Sequence, residues 1–537
     1  PHQPAPNPFP ERCDMAPNIS PDRKIKVLIV TPEITYLPPG MGNIAERLSA
    51  KAGGLADVSA SLVSALFNMG VDVHVALPNY RRLFHVEIQD LMDAKLSQYR
   101  AKLDPDVDGN QRIHLAEDRT FYYRESVYSN YAEDGLKMSL TFQREVINNI
   151  IPSVLPDLVH CNDWVTGLVP GLARRWGIPT LFTIHNIHTQ ETTLETIENY
   201  GIDTAFFWKN LYYSRQPACY EESRSTNLVD LLTSGIFGAH FVNTVSPTFL
   251  REIVEGQHTF VPPQIQREIA NKYFAGCAKG ILNAPDPDYH PSTDKALAAT
   301  YNAENHAENK AINKKAFQAK VGLTVNPNVP LLFWPSRLDP IQKGPQLLAE
   351  ILYSIIDDYW SLGLQVAIVA EGAYQDHFHA IADHHQLRSR IAVCSFQEAL
   401  SRLGYAASDF ILMPSRFEPC GLPQMIGSMY GSLPIVHDTG GLHDTVSHLD
   451  VAKNSGNGFV FEHYDANGLR WAINEAMRFY GLGRHARQKQ VCRVMQEAET
   501  TFTHANTAAA YVELYERMLQ RPLLPQTDAD ADASQPL

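Results

Sequence analysis

"KAGGLADVSASLVSALFNMGVDVHVAL", Lys51–Leu77, holds a helix and a strand in one run. Leu55, Val58, Leu62, Leu66 and Met69 recur at three- and four-residue steps, the period of one helix face. Gly53–Gly54 then marks the amino end of that helix, and Gly70 stops it before the strand "VDVHVAL". Upstream, "KIKVLIV" (Lys24–Val30) is a short apolar run, as a strand buried on both faces requires. "TPEITYLPPGMGN" (31–43), rich in Pro and Gly, is a loop. Strand, helix and strand make a βαβ unit.

The pattern recurs. "PDLVHCNDW", "GLVPGLARRWG" and "IPTLFTIHN" read as strand, helix and strand, and "HFVNTVS" as a further buried strand. A second series follows: "VPLLFWPSRLD", "LQVAIVAEG", "RIAVCSF", "DFILMPSRFE" and "LPIVHDTGG", each a short strand ending in a polar or glycine-bearing turn. Alternation of strands and helices implies parallel sheets covered on both faces. Two series imply an α/β chain of two doubly wound domains, joined near residues 276–284. The expected division is 24–279 and 280–505. Ligands of such sheets bind beyond the carboxyl ends of the strands, so two facing domains would bind between them. "TAAAYVELYERML" (Thr507–Leu519) has one apolar face, Ala508, Tyr511, Val512 and Tyr515. This last helix, within 506–521, either closes the second domain or crosses back to the first.

The chain has 537 residues, a length that suits two domains. Residues 1–23 are Pro-rich without the apolar core of a secretion signal, and 522–537 are rich in Asp, Ala and Pro. Both are expected to be disordered. With 44% apolar and 19% charged residues the composition is that of a soluble globular protein. A formal charge of −14 argues against nucleic acid or an anionic membrane as the main partner. No stretch is apolar for long enough to span a bilayer. Seven scattered cysteines without a CxxC pair suggest reduced thiols and a cytoplasmic location.

Chemistry-bearing residues fall just after the strands. Lys51 adds a mobile cation beside the Gly53–Gly54 helix start, where glycine lets an anion approach free N–H groups. Asp57 follows in the first turns. "SRLDPIQKG" (Ser336–Gly344) offers Arg337 and Lys343, two cations suited to a diphosphate. "SRFEPCGLPQ" (Ser415–Gln424) places Glu418 at a strand end, where a carboxylate can bind sugar hydroxyls or act near a helix start. Gly440–Gly441 repeats the glycine pair, and "TIHN" puts His185 at a strand end. The histidines of "DHFHAIADHH" (376–385) lack an acid or cysteine shell of suitable spacing, so no metal is expected.

Together "KAGGLADV", "HCNDW", "TIHN", "TVSPTF", "KGILN", "SRLDPIQKG" and "SRFEPCGLPQ" through "YGSLPIVHDTGGLHDTV" resemble, in order, the bacterial glycogen synthase and plant starch synthase family. The similarity runs from about Lys24 to about Leu519. It implies the GT-B fold, two Rossmann-like domains facing a central cleft, with acceptor groups on the first and nucleotide-sugar groups on the second. It implies a retaining transfer of glucose from a nucleotide sugar, ADP-glucose or UDP-glucose, to the non-reducing end of an α-1,4-glucan. Lys51 with Gly53–Gly54 would lie against the diphosphate and the transferred glucose. Arg337 and Lys343 would hold the diphosphate and do a metal's electrostatic work, so neither metal nor cofactor is implied. Glu418 would bind near the donor glucose, helped by backbone N–H groups of Cys420, Gly421 and Leu422. His185 would sit by the reacting sugar, while Asp57, Asp163, Asn186 and Asn283 line the cleft and Gly440–Gly441 approach the donor. The location implied is the cytoplasm, or a plastid for a plant protein.

Several neighbourhoods depart from the family pattern. "IHTQETT" follows His185–Asn186 in place of an aromatic, Gln and Gly, and "NAPD" (Asn283–Asp286) replaces an Asn-Gly turn. "EGAY" stands for a Gly-x-Gly run, and "PQMIGSM" follows "EPCGL". These changes fall around the acceptor and nucleotide, not the diphosphate cations. Two alternatives therefore stand beside a glucan synthase: a retaining transferase with another nucleotide sugar or small acceptor, and a silent glucan-binding scaffold.

Overall fold

The computed structural model describes residues 24–84, 88–103, 111–129 and 131–524. The leader 1–23 and most of the tail lie outside them. The chain divides into two units. The first comprises the residues up to Val245, Ile253–Ile281 and the segment from Thr507; the second comprises Ser246–Glu252 and Leu282–Asn506.

The first unit is built on a seven-stranded sheet. Its strands are β1 (Lys26–Val30), β2 (Asp72–Pro78), β3 (Ile113–Ala116), β4 (Leu158–Asn162) and β5 (Thr180–Ile184). A small antiparallel pair, β6 (Glu191–Thr192) and β7 (Val229–Asp230), lies apart, and β8 (Phe241–Thr244) and β9 (Ala278–Gly280) complete the sheet. The order is β3-β2-β1-β4-β5-β8-β9, and every pairing in it is parallel. The opening βαβ unit stands as read: the helix Gly54–Asn68 buries Leu55, Val58, Leu62 and Leu66 and ends before Gly70, whose φ is +88°. The short strands β3 and β9 went unread, and β9 runs through the stretch taken as the domain junction. Both are edge strands of four residues or fewer, too short for a periodic signal.

The last helix, His504–Leu519, packs on the first unit through a neutral buried network. The Thr183 hydroxyl donates to Asn243 Oδ1, so it must accept from His160 Nε2–H at 2.5 Å. His160 Nδ1 is then the acceptor for the Tyr515 hydroxyl at 2.7 Å. Asn243 Nδ2 donates to the Tyr511 oxygen. Burial pushes the His160 pKa down to about 3, so the ring is neutral.

The second unit holds β10 (Leu331–Trp334), β11 (Gln365–Val369), β12 (Ile391–Cys394), β13 (Phe410–Met413), β14 (Leu433–His437) and β15 (Phe459–Phe461). Their order is β12-β11-β10-β13-β14-β15, again all parallel. Alternate residues feed two cores. Leu332, Trp334, Val366, Ile368, Leu412 and Ile435 enter one, and Leu331, Phe333, Val369, Ile411, Met413 and Val436 the other. Continuous apolar strands are the consequence of covering both faces. Both sheets are thus doubly wound, as expected. No helix among the described residues is long and apolar enough to cross a membrane. Six cysteines, from Cys161 to Cys492, are free thiols among the described residues.

Candidate functional site

In each sheet the strand order reverses at one place, between β1 and β4 in the first unit and between β10 and β13 in the second. Crevices at such points receive ligands in open α/β sheets. Most of the residues singled out from the sequence lie on loops after those strands and their neighbours.

In the first unit, Glu33 follows β1 and is buried. Its Oε2 accepts the N–H groups of Ala52 (2.7 Å) and Gly53 (3.0 Å), and its Oε1 accepts the Tyr128 hydroxyl. Burial raises its pKa despite these bonds. Lys51, half exposed, reaches Asp57 Oδ2 at 2.7 Å. The lysine is thereby held over the first turn of the helix that Gly53 caps, and that cap has no side-chain hydrogen bond. Among the described residues a Cβ built on Gly54 would meet nothing within 4 Å, and one on Gly53 only Glu33 Oε1 at 3.8 Å. Packing among the described residues therefore requires neither glycine.

Asp163 follows β4 and is 4% exposed. Its φ of 55° and ψ of 179° lie in a region that non-glycine residues rarely occupy, and such strain clusters at functional sites. Its carboxylate holds the next loop in place: Oδ1 accepts the His185 N–H (2.8 Å) and Oδ2 the Asn186 amide (3.1 Å). Burial lifts its pKa to about 7, with the Glu33 charge adding to the rise. Asn162 Nδ2 donates to the Val30 carbonyl, which leaves its Oδ1 to accept from His185 Nε2–H at 3.0 Å. Burial pushes the His185 pKa down to about 4. The imidazole is therefore neutral at pH 7, with Nδ1 as its acceptor atom.

In the second unit, Arg337 follows β10 and is exposed. Lys343 and Glu418, on the loops after β10 and β13, form a buried ion pair of 2.5 Å. Their side chains are 12% and 6% exposed. Ser415 Oγ also donates to Glu418 Oε2, at 3.0 Å. Gly344 must be glycine: its φ is +73°, and a Cβ would lie 2.2 Å from the Pro414 carbonyl oxygen. That approach brings the two loops together. The Asn283 N–H bonds the buried Cys420 thiol, whose pKa burial lifts to about 12. Asn283 Oδ1 is buried without a partner among the described residues. Gly421 turns the loop at φ +71° ahead of Leu422.

Gly440–Gly441 has a different use from the one expected of it. A Cβ on Gly440 would lie 2.1 Å from the Glu418 oxygen, and one on Gly441 1.9 Å from the Cys420 oxygen. Their N–H groups are taken, Gly440 by the Glu252 carboxylate (2.9 Å) and Gly441 by the Glu418 carbonyl (2.9 Å). The pair seats the Glu418 loop and presents no free amide. Glu252 also accepts the Thr439 hydroxyl, and Asp444 accepts from Ser246 and Thr248.

Sequence reading missed Glu33, Asn162, Glu252 and Asp444. Glu33 was within reach, because "TPE" directly follows the first strand. Among the described residues no group of three or more His, Cys, Asp or Glu is placed to hold a metal ion.

Both units are Rossmann-like, with chemistry-bearing loops at the carboxyl ends of parallel strands, and their similarity to known proteins makes them the two halves of a GT-B glycosyltransferase. A starch synthase catalytic domain model matches residues 26–282, and a glycosyl transferases group 1 model matches 319–490. The chain is 33% identical over 491 residues to the glycogen synthase of Exiguobacterium sibiricum, covering 87% of this chain and 95% of that one. It is 32% identical over 521 residues to the glycogen synthase of Moorella thermoacetica, covering 93% and 98%. Among solved structures, the catalytic domain of starch synthase IV from Arabidopsis thaliana, bound to ADP and acarbose, aligns with a TM-score of 0.70 at 26% identity. The alignment covers 93% of this chain and all of that one. Sucrose-phosphate synthase from Thermosynechococcus elongatus shares the fold at a TM-score of 0.56 and 15% identity, covering 93% and 100%. The chain belongs to the glycogen synthase and starch synthase family, and it is a hexosyl-transferring enzyme of that type.

Proposed function

We propose that this chain moves glucose from ADP-glucose or UDP-glucose to the non-reducing end of an α-1,4-glucan, with retention at the anomeric carbon. The observation that carries the reading is the β10/β13 switch point, where exposed Arg337 accompanies the buried Lys343–Glu418 pair. As the glycosidic bond breaks, negative charge grows on the leaving diphosphate. Arg337 and Lys343 supply fixed positive charge for it. Glu418 uses part of its acceptor capacity on Lys343 and Ser415. Its remaining lone pairs suit sugar hydroxyls. Neutral His185 accepts a sugar hydroxyl through Nδ1 rather than acting as a cation. The proposal requires Lys51, with Asp57 and the open backbone at Gly53–Gly54, to act on the same sugar diphosphate. Asp163, Asn186 and Asn283 then position that sugar. No metal or cofactor is needed where two cations serve the diphosphate, and a soluble donor fits a cytoplasmic reaction.

Nucleotide release from ADP-glucose and from UDP-glucose, with glycogen or maltooligosaccharides and with a chelator present, tests the reading. Wild-type release should need an acceptor, persist in chelator and fall about a hundredfold in Arg337→Ala. Release from neither donor, with the nucleotide diphosphate still bound, points to another sugar or acceptor. No release and no nucleotide binding leaves a scaffold.

A further inference from the structure

The second unit holds a cavity of about 220 Å³ at the amino ends of β10, β13 and β14, the opposite end of the sheet from Arg337, Lys343 and Glu418. Lys310, Lys314, Arg484 and Arg487 line it, with Asp409 as the one acid among the lining residues. His306, also in the lining, is held toward its neutral form by burial. With Lys314 paired to Asp409, Arg484 and Arg487 are left as cations with no acid opposite them in the lining.

The donors differ in what they have left to give. Lys310 Nζ spends its three N–H groups on the carbonyls of Tyr405, Ala406 and Tyr430, and burial pushes its pKa down to about 7, so it offers the cavity no contact and only part of a charge. Lys314 Nζ donates to the Val329 carbonyl and to Asp409 Oδ2, and keeps one donor. Arg487 stacks on the Tyr480 ring at 4.4 Å, and its Nε is buried with no hydrogen-bond partner among the described residues. Arg484, in the first turn of the helix Arg484–Thr501, is exposed at the same end. A buried guanidinium N–H without an acceptor is costly, and an anion in the cavity relieves it.

We propose that this cavity binds a phosphate dianion, free or carried on a small organic molecule. Planar guanidinium forks match phosphate oxygens, and two arginines with one spare lysine donor suit a doubly charged group. The volume falls below the roughly 300–1,000 Å³ of sites for drug-sized ligands, which suits a phosphate or small phosphomonoester better than a nucleotide.

Thermal unfolding and calorimetry with inorganic phosphate and with glycerol phosphate, against chloride at equal ionic strength, test the site. At least one of the two should raise the wild-type midpoint, and which one does so identifies the source of the phosphate. Arg484→Gln with Arg487→Gln should weaken binding tenfold or more while leaving basal sugar transfer unchanged. Arg487→Lys, which keeps the charge without the fork, should fall between. The phosphate-binding residue of the reaction site is the control: Arg337→Gln should retain the shift. No shift with either anion overturns the proposal. So does a shift that survives the paired arginine substitutions and disappears in Arg337→Gln.

Discussion

Lys343 and Glu418 give the sharpest test, because they make one prediction for stability and another for activity. The pair is 2.5 Å long and nearly sealed from solvent. Lys343→Met leaves the Glu418 carboxylate buried with the Ser415 hydroxyl as its remaining side-chain donor among the described residues. Truncating one partner of such a pair costs about 3–5 kcal/mol. Adding Glu418→Gln removes the stranded charge and keeps an acceptor for Ser415. The double variant should therefore recover at least about 2 kcal/mol relative to the sum of the two single losses. Activity should not recover, since losing one preorganised cation costs about 2.7–4 kcal/mol of transition-state stabilisation, a hundred- to a thousandfold in rate. The assays are urea midpoints at constant slope for the wild type, both singles and the double, alongside nucleotide release. Additive stability losses would refute the buried pair. A double variant that is stable and fully active would refute the catalytic role of both residues.

The two glycine pairs should separate in the same assays. Gly441→Ala drives a Cβ against the Cys420 carbonyl; it should cost about 1–3 kcal/mol or more by overpacking and lower activity through the displaced Glu418 loop. Gly54→Ala meets no protein atom, so its unfolding midpoint should stay or rise, by up to about 1 kcal/mol, while KM for the nucleotide sugar increases. An unchanged KM would mean that no ligand approaches there. Tyr515→Phe should lose about 1–3 kcal/mol by leaving His160 Nδ1 unpaired, read from denaturant unfolding near neutral pH. His160 also fixes a pH dependence. Its folded pKa of about 3 lies below the ordinary 6.5, so the unfolded chain takes up the proton first. Stability is then lost as pH falls below 6.5, by about 1.4 kcal/mol per unit from this group. His160→Gln should flatten the measured slope by that amount, and an unchanged slope would show that His160 is protonated in the fold.

Much of the fold was legible because both sheets are buried on two faces. A four-residue apolar run such as "LLFW" or "FILM" then has no alternative reading as a surface strand. What escaped was short and peripheral. The strands Ile113–Ala116, Ala278–Gly280 and Phe459–Phe461 take their pairing from a neighbouring edge rather than from their own pattern. The allegiance of Thr507–Leu519 was also hidden. Its apolar face is plain, but only the fold shows Tyr511 and Tyr515 meeting Asn243 and His160. A helix face says that it packs, and the acceptors that complete its hydroxyls say where.

The glycine pairs show why site residues are harder to read than strands. "KAGGL" and "TGGL" look alike, each a glycine pair opening a helix after a loop. Their uses differ because different atoms come to them from elsewhere in the chain. At Gly440–Gly441 the arriving atoms are the Glu418 and Cys420 carbonyls, close enough that any side chain would collide. The glycines are spent on packing and on holding the Glu418 loop. At Gly53–Gly54 no described residue comes close enough to forbid a side chain, while Glu33 takes the N–H groups just before the helix and leaves its first turn without a side-chain cap. Where packing gives no reason for a glycine, close approach of a ligand remains the physical reason to have one. The two pairs thus divide the work that the sequence appeared to duplicate: one shapes the loop that carries the acid, and the other keeps the backbone beside Lys51 open.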